Sequence, residues 1–248
     1  MKSFAPAYIN EVVKRLQRIS EEEMDSIYQA AELITDAIEN GNRIFGFGCT
    51  HSSLPVQDIV YRAGGLMLIN PIFAPGLASM DTRPATLSTS IERVNGYAKA
   101  ILDNQPIQKG DVLILVSVSG RNAMPIEMAD EAKKRGLKVI GLTSLAYTSA
   151  VSSRHPSGKK MYEFADVVID GKIDPGDAVL EADGVPQKFC PVSGAINAAI
   201  LQSVVAATIE LLLERGITPP VFLAANVEGG DEYNAKMLEK YKDRIFYM

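Results

Sequence analysis

The segment 110–135 places the tightest constraint on how this chain folds. It begins with an unbroken run of branched apolar residues, Val112–Val116, which predicts a strand buried on both faces of a sheet. A short polar loop, 117–122, follows, and residues 123–135 show helical apolar spacing with basic residues in the last turn. This order of strand, small polar loop and helix is typical of parallel α/β sheets, which bind ligands at the carboxyl ends of their strands.

The polar loop carries groups that suit an anion. Ser117 and Ser119 supply hydroxyl donors, and Gly120 lets the backbone approach a ligand closely. The predicted helix N-terminus after Asn122 adds unpaired backbone N–H groups and the positive end of the helix dipole. Serine and asparagine also cap helices, so both interpretations stay open for a single loop of this kind.

A second loop, earlier in the chain, repeats the pattern. Residues 43–47 predict a strand that runs into a glycine- and hydroxyl-rich loop, and residues 54–63 predict the helix that follows. Gly48, Thr50 and Ser52 lie in this loop. Two loops of the same design favour ligand binding over capping. A nucleotide-binding Rossmann site is disfavoured, because the third glycine of its fingerprint is missing and no clear acid marks the next strand end.

The whole chain, residues 1–248, predicts a single α/β domain. Residues 8–39 predict one long helix or two in tandem, joined at a capping box that begins at Ser20. The expected architecture is a three-layer αβα sandwich with a central parallel sheet of about five strands and a C-terminal helical tail over 216–248. The other predicted elements are strands at 66–72, 138–143 and 167–170, a hairpin at 179–188, helices at 87–102, 195–215 and 231–242, and loops at 73–86 and 144–160.

Composition narrows the classes of partner. The net charge of −5 argues against nucleic acid or an anionic membrane. We expect no apolar stretch of the ~18–20 residues that span a bilayer, and the N-terminus lacks the apolar core of a secretory signal. The two cysteines and two histidines form neither a disulfide framework nor a zinc pattern. These features predict a cytoplasmic protein that uses no metal or cofactor.

The two loops resemble those of a known domain. The loop at 117–122, Ser-Val-Ser-Gly-Arg-Asn, resembles the Ser-x-Ser-Gly-x-Thr phosphate loop of the sugar isomerase (SIS) domain, and residues 46–50 resemble its first Gly-x-Gly-x-Ser loop. The resemblance covers about residues 8–215. Within the domain, the chain is similar to an uncharacterised group described as phosphoheptose isomerases and to N-acetylmuramic acid 6-phosphate etherase. Asn122 and Thr50 depart from the pattern, where the domain usually has threonine and serine.

The resemblance implies a flavodoxin-like SIS fold, a homodimer and a phosphosugar ligand. It places the sugar phosphate on Ser117, Ser119 and Asn122, with Thr50 or Ser52 reaching from the first loop. The remaining implied ligand contacts are Gly48, Gly120, Arg121 and Ser193. For Arg121 the alternatives are a solvated side chain or a contact with a neighbouring subunit, and for Ser193 an ordinary helix cap.

Both chemistries implied by the resemblance need a carboxylate near C2 of the sugar. Glu92 is the first candidate, because its spacing from the central strand resembles that of a catalytic glutamate in the etherase. Partial burial beside its apolar neighbours would raise its pKa. The alternatives are a salt bridge with Arg93 or Arg62, or a solvated position. His51 and His155 fall in loops after strand ends, where histidine suits proton transfer, although each is as readily structural or exposed. The segment around His155 resembles a lid.

Three functions follow from these features. The first is a sugar-phosphate isomerase that works by carboxylate and histidine proton transfer. The second is an etherase-like lyase on an N-acetylated amino-sugar 6-phosphate. The third is a non-catalytic phosphosugar sensor, although the chain lacks the helix-turn-helix segment or basic patch of a DNA-binding regulator.

Overall fold

A computed structural model describes residues 3–78 and 82–248 of the chain. Its main sheet has five parallel strands in the order β2-β1-β3-β4-β5, which is the flavodoxin-like order. The fold class expected from the sequence is therefore confirmed. A separate antiparallel hairpin, β6–β7, lies outside this sheet. The strands are β1 (Ile44–Gly48), β2 (Ile69–Pro71), β3 (Val112–Val116), β4 (Lys138–Thr143), β5 (Val167–Asp170), β6 (Ala178–Ala182) and β7 (Val185–Pro191).

Helices cover both faces of the main sheet. Along β1 and β3, successive side chains alternate between two apolar clusters, as a pleated strand between two helical layers requires. Ile44 and Ile114 join the cluster formed with α2 and α8, whereas Phe45 and Leu113 join the cluster formed with α5 and α6. The α-helices are α1 (Phe4–Glu22), α2 (Met24–Glu39), α3 (Ser53–Asp58), α4 (Thr86–Ile91), α5 (Tyr97–Leu102), α6 (Ala123–Lys134), α7 (Leu145–Ser149), α8 (Ser193–Glu214) and α9 (Gly230–Lys240).

The apolar helix α8 overturns one expectation from the sequence. An 18-residue window of this 22-residue helix has a mean hydropathy of 1.8, so by length and composition the helix is able to cross a membrane. Half of its most apolar window is buried within the protein. Ile196, Ile200 and Val204 lie in the core cluster that also contains α2. The apolar character of α8 is thus explained, on this side, by packing against the sheet.

The helix predicted at 87–102 is wrong as a single element. It breaks after α4 and resumes at α5, and Gly96 has φ of 85° in the left-handed region that glycine adopts easily. Both carboxylate oxygens of Glu127, on α6, accept the backbone N–H of Gly96, at 2.9 and 2.7 Å. Glu92 therefore lies at the C-terminal end of α4, where its backbone carbonyl accepts the N–H of Met124 at 3.0 Å.

Other boundaries also differ from the prediction. The capping box at Ser20 is wrong, since α1 continues to Glu22 and the Ser20 hydroxyl donates back to the carbonyl of Gln17 at 2.7 Å. The helix α3 and the strand β2 are shorter than predicted, and α7 lies inside the segment predicted as a loop at 144–160. The loop predicted at 73–86 is described except at 79–81. The hairpin is confirmed, with its turn at residues 183–184.

The C-terminal tail packs along β2. The N–H of Phe222 donates to the carbonyl of Gly65 at 3.0 Å, and the carbonyl of Phe222 accepts the N–H of Gly64 at 2.8 Å. Asn70, buried in β2, donates to the carbonyl of Arg244 at 2.9 Å and accepts the N–H of Phe246 at 2.7 Å. The tail thus lies beside the edge strand β2, held there by backbone bonds to the segment before the strand and by the Asn70 side chain.

Candidate functional site

The two loops seen in the sequence meet at the carboxyl edge of the sheet. Strands β1 and β3 are adjacent and parallel, and Gly48 is the register partner of Val116. The segments that follow, the first loop (residues 49–52) and the serine loop (residues 117–122), therefore start side by side. This is the edge where open α/β sheets bind ligands.

Close packing shapes the first loop. A Cβ on Gly48 would lie 2.2 Å from the carbonyl oxygen of Ser52, so only glycine fits there. Thr50 adopts a positive φ of 51°, and its N–H donates to the carbonyl of Leu77 at 2.8 Å. The predicted role of Gly48 is therefore one of shape: it lets the chain turn back sharply after β1, which directs Thr50 and Ser52 along the carboxyl edge.

The serine loop is held by its carbonyl groups. The Val118 carbonyl accepts the hydroxyl of Thr143 at 3.1 Å, and the Ser119 carbonyl accepts the hydroxyl of Thr148 at 2.9 Å. Gly120 has φ of 56°, and its carbonyl accepts a backbone N–H from the 3₁₀ turn that begins at Met161. With the carbonyls engaged, the loop is fixed, while among the described residues the hydroxyls of its two serines have no hydrogen-bond partner.

Asn122 does not act as a side-chain cap. It precedes α6 with an extended backbone, and in the described structure its side chain makes no hydrogen bond to the first turn of that helix. Its Oδ1 accepts Nη1 of Arg154 at 3.0 Å, and its amide bonds the carboxylate of Glu92. Asn122 thus connects the carboxylate of Glu92 to the guanidinium of Arg154. The resemblance implied instead that Asn122 contacts the phosphate directly.

Glu92 lies between the two loops. Burial raises the pKa of its carboxyl group, and the hydrogen bond from Asn122 and the charges of Arg93 and Arg154 offset part of that rise. The same carboxylate is close enough to the first loop to add to the rise in the pKa of the Cys49 thiol, which burial dominates. Arg62, offered as a salt-bridge partner of Glu92, pairs instead with Asp58.

The two histidines have different surroundings. His51 is exposed at the rim of a cleft of about 250 Å³, whose other lining residues are Ala85 and five that carry hydroxyls: Thr50, Thr82, Thr86, Ser88 and Thr89. His155 is half-buried, with Nε2 at 3.4 Å from Glu127 and Nδ1 at 2.7 Å from the Ser157 hydroxyl. Because both ring nitrogens of His155 have partners, its surroundings fit a structural role better than those of His51 do.

The segment predicted as a lid contacts the serine loop and the neighbouring helix α7, and its closing over a ligand stays a prediction. The N–H of Arg154 donates to the carbonyl of Arg121 at 2.8 Å, and Nζ of Lys160 donates to the carbonyl of Thr148 at 2.7 Å. Ser193 is engaged elsewhere: its hydroxyl donates to Asp177 at 2.6 Å, and that carboxylate also accepts the N–H of Ser193. Asp177, rather than a ligand, is the partner of Ser193 at the start of α8.

Sequence reasoning missed two residues of this site. Arg154 and Arg93 flank the Glu92–Asn122 contact, and both act on the carboxyl group of Glu92. A signal for each was present, since Arg93 is adjacent to Glu92 and Arg154 is adjacent to His155. Neither could be singled out without the contacts, because exposed arginines are common on any protein surface.

Fold and site together define a class: a flavodoxin-like α/β protein with two hydroxyl-bearing loops and a half-buried carboxylate at the carboxyl edge of its sheet. The model of the SIS domain matches residues 7–144, and the chain belongs to this family. It is 48% identical over 249 residues to a UPF0309 protein of Streptomyces coelicolor, covering 100% of this chain and 99% of the relative. It is 44% identical over 246 residues to one of Oceanobacillus iheyensis, covering 99% and 100%.

Solved structures with the same fold include phosphoheptose isomerases. The one from Francisella tularensis has a TM-score of 0.54 at 16% identity, covering 85% of this chain and 100% of that chain. The one from Neisseria gonorrhoeae has a TM-score of 0.53 at 18% identity, covering 84% and 98%. At such identities the likeness establishes the shared fold.

Proposed function

We propose that this protein binds a phosphosugar across its two loops and isomerises it between aldose and ketose forms. The observation that carries the proposal is the position of Glu92, a half-buried carboxylate between the first loop and the serine loop, bonded to Asn122. The fold shared with phosphoheptose isomerases supports the choice of ligand.

The phosphate is assigned to the serine loop. Ser117 and Ser119 have hydroxyl groups without partners among the described residues, and the N-terminus of the 12-residue helix α6 follows them. A phosphate there would gain charge-assisted hydrogen bonds and the favourable end of the helix dipole. The hydroxyl-lined cleft beside Thr50 and His51 offers neutral donors and acceptors that suit a sugar.

The proposed chemistry is a proton transfer between neighbouring carbons of the open-chain sugar. Glu92 removes the proton from C2 of the aldose, and the electron pair moves into an enediol between C1 and C2. Return of that proton to C1, with transfer of the O2 proton to O1, gives the ketose. A carboxyl group whose pKa is raised by burial is a stronger base than an exposed one, as this step requires. His51, at the cleft rim, is placed to assist ring opening.

The proposal is tested by Glu92→Gln, with Glu131→Gln, a half-buried glutamate near the C-terminal end of α6, as the matched control. The amide is nearly isosteric but cannot accept the C2 proton, so binding should persist while turnover is lost. In deuterated solvent, NMR of hexose and heptose phosphates should show deuterium entering C2 with wild type and the control, and none with Glu92→Gln.

Other results would redirect the proposal. Undiminished exchange in Glu92→Gln would move the base elsewhere, with His51 and His155 next to be substituted. Release of lactate from N-acetylmuramic acid 6-phosphate would identify a lyase that uses the same carboxylate. Binding of phosphosugars without any exchange in the wild type would establish the sensor function instead.

A further inference from the structure

Three arginines from three segments converge beside the serine loop. Arg121 belongs to the loop itself, Arg154 comes from the segment after α7, and Arg93 follows Glu92 at the end of α4. The chain at Arg154 is tied to Arg121 by a backbone hydrogen bond of 2.8 Å. Burial lowers the pKa of the Arg154 guanidinium, and the nearby charges of Arg121 and Arg93 lower it further. Arg121 and Arg93 are thus near enough to Arg154 for their positive charges to act on it.

Nothing in the described part of the chain neutralises this cluster through an ion pair. Among the described residues, none of the three guanidiniums pairs with a carboxylate, and Nε of Arg121 is buried without a hydrogen-bond partner. The contacts of Arg121 and Arg154 are to neutral groups, the Ser152 hydroxyl at 3.3 Å and Asn122 Oδ1 at 3.0 Å. The carboxylate of Glu92, linked through Asn122, supplies one negative charge against three positive ones.

Five other arginines of the described structure pair with carboxylates, one of them Arg62 with Asp58, whereas Arg43 and Arg244 donate to backbone carbonyls. Arg15 contacts Glu11 and Asp174, and Arg18 contacts Glu22. Likewise Arg135 contacts Glu131 and Asp103, and Arg215 contacts Asp36 and Glu39. A group of like charges held together without a counter-charge costs folding free energy, which a bound anion would recover. The cluster therefore differs from the rest of the surface in the direction expected of a binding site.

We propose that Arg93, Arg121 and Arg154 form an oxyanion subsite that receives an anionic group of the ligand. This inference rests on the proposed function and deepens it, because it names the group that the site selects: a phosphate or carboxylate in preference to a neutral group. Guanidinium groups match phosphate and carboxylate oxygens in forked pairs, and Arg154 is the arm of the cluster that reaches the serine loop at Asn122.

Two sources of the anion are compatible with this chemistry. One is the phosphate of the sugar itself, shared between the arginines and the hydroxyls of the serine loop. The other is a second anionic group on the same sugar, such as a carboxylate near the carbon that Glu92 faces. Anion binding would also affect the base, because Arg154 contacts Asn122 and its positive charge lowers the pKa of Glu92. An anion bound to Arg154 offsets that charge and so raises the pKa of Glu92.

Calorimetry on the full-length protein tests the subsite, with Arg154→Gln, Arg154→Lys and, as the matched control, Arg215→Gln. The probes are glucose 6-phosphate, glucose 6-sulfate, 6-phosphogluconate and inorganic phosphate. We expect Arg154→Gln to weaken glucose 6-phosphate binding about tenfold or more, Arg154→Lys to weaken it less, and the control to leave it unchanged. The sulfate ester, with one charge, should bind wild type more weakly than the phosphate ester.

The pattern across probes separates the two sources. If Arg154→Gln weakens both phosphosugars equally, the anion is the sugar phosphate. Suppose that 6-phosphogluconate binds wild type more tightly than glucose 6-phosphate does. If Arg154→Gln removes only this difference in affinity, the anion is the carboxylate of the sugar. If Arg154→Gln leaves the affinities for glucose 6-phosphate and 6-phosphogluconate unchanged, the subsite is overturned and the proposed function stands. If inorganic phosphate binds in a manner that depends on Arg154 and no phosphosugar binds, the subsite stands and the proposed function is overturned. If no probe binds, both are overturned.

Discussion

Two cation-rich regions of this protein look alike in composition and differ in how their charges are compensated. The N-terminal cleft, of about 570 Å³, lies between α1, the hairpin and the segment after β5, and contains Lys14, Arg15, Arg18, Lys172 and Lys188. Four of these have carboxylate partners within 3.2 Å. The arginines at the serine loop have none among the described residues. The N-terminal cleft is thus the more neutral of the two regions, and this difference in charge compensation is the reason for proposing the anion site at the serine loop.

The centre of the N-terminal cleft is a structural ion cluster. Lys172 contacts Glu23 at 2.6 Å and Asp170 at 3.2 Å, and Glu23 and Asp170 are both buried. Glu23 also accepts the N–H of Asp170 at 3.1 Å, and Asp170 accepts the N–H of Leu145 at 3.0 Å. This cluster fastens the end of α1 and the start of α2 to the end of β5.

Lys172→Met should give the largest effect on stability and would sharpen the contrast between the regions. It leaves two buried carboxylates without their cation, which costs about 3–5 kcal/mol in the free energy of unfolding. Ligand affinity of the folded protein should not change. Urea unfolding at pH 7 measures the loss, with Lys188→Met, an exposed partner of Glu181 in the same cleft, as a nearly neutral control. Equal losses in both variants would show that burial of the cluster is unimportant.

The same cluster predicts a pH dependence at alkaline pH. Burial lowers the pKa of Lys172, but the hydrogen bonds to Glu23 and Asp170 outweigh it, so the pKa lies above its ordinary value of about 10.4. A raised lysine pKa contributes stability that is complete below pH ~10.4 and is lost as the pH rises through the folded-state value. Thermal unfolding of wild type and Lys172→Met should therefore converge only at strongly alkaline pH.

The second largest effect concerns binding at the serine loop. Ser117→Ala together with Ser119→Ala should weaken phosphosugar affinity by at least ~2 kcal/mol, because each hydroxyl would donate to a charged group. Stability should change little, since the hydroxyls have no partner among the described residues. Calorimetry should show the loss, whereas Ser20→Ala with Ser203→Ala should show none. Equal wild-type affinity for phosphorylated and unphosphorylated sugar would remove the phosphate assignment.

A smaller effect is expected from Glu92→Gln on stability. Since burial raises the pKa of Glu92, the folded state loses stability as the pH rises from about 4.3 through the raised value. The amide carries no charge, so the variant should be more stable than wild type at pH 7, by about 1 kcal/mol, with the difference vanishing below pH ~4. Unfolding curves at pH 4 and pH 7 provide the measurement. A variant that is less stable at pH 7 would contradict the role of burial.

The smallest effect is expected at the surface of the N-terminal cleft. Arg18 and Glu22 form an exposed pair one helical turn apart, and such pairs contribute about 0.5 kcal/mol or less. Arg18→Gln should therefore change neither stability nor phosphosugar affinity beyond that level. If it weakened ligand binding as much as Arg154→Gln, the distinction between compensated and uncompensated cations would fail.

Much of the fold followed from local patterns in the sequence. The parallel sheet, the tandem N-terminal helices, the hairpin and both loops were predicted, because buried strands and amphipathic helices have periodicities that neighbouring residues reveal. The break between α4 and α5 was not predicted. It depends on Glu127, which is 31 positions from Gly96 and captures its N–H. Contacts over such separations leave no periodic signal.

The candidate site divides in the same way. By itself, the sequence determined the two loops and drew attention to Glu92, since glycine, serine and an acid before a central strand are chemically informative where they stand. Only the tertiary structure decided that Asn122 joins Glu92 to Arg154 and that three arginines meet without a counter-charge. The physical reason is that side-chain chemistry is local, whereas pairing of charges depends on which segments the sheet brings to one edge.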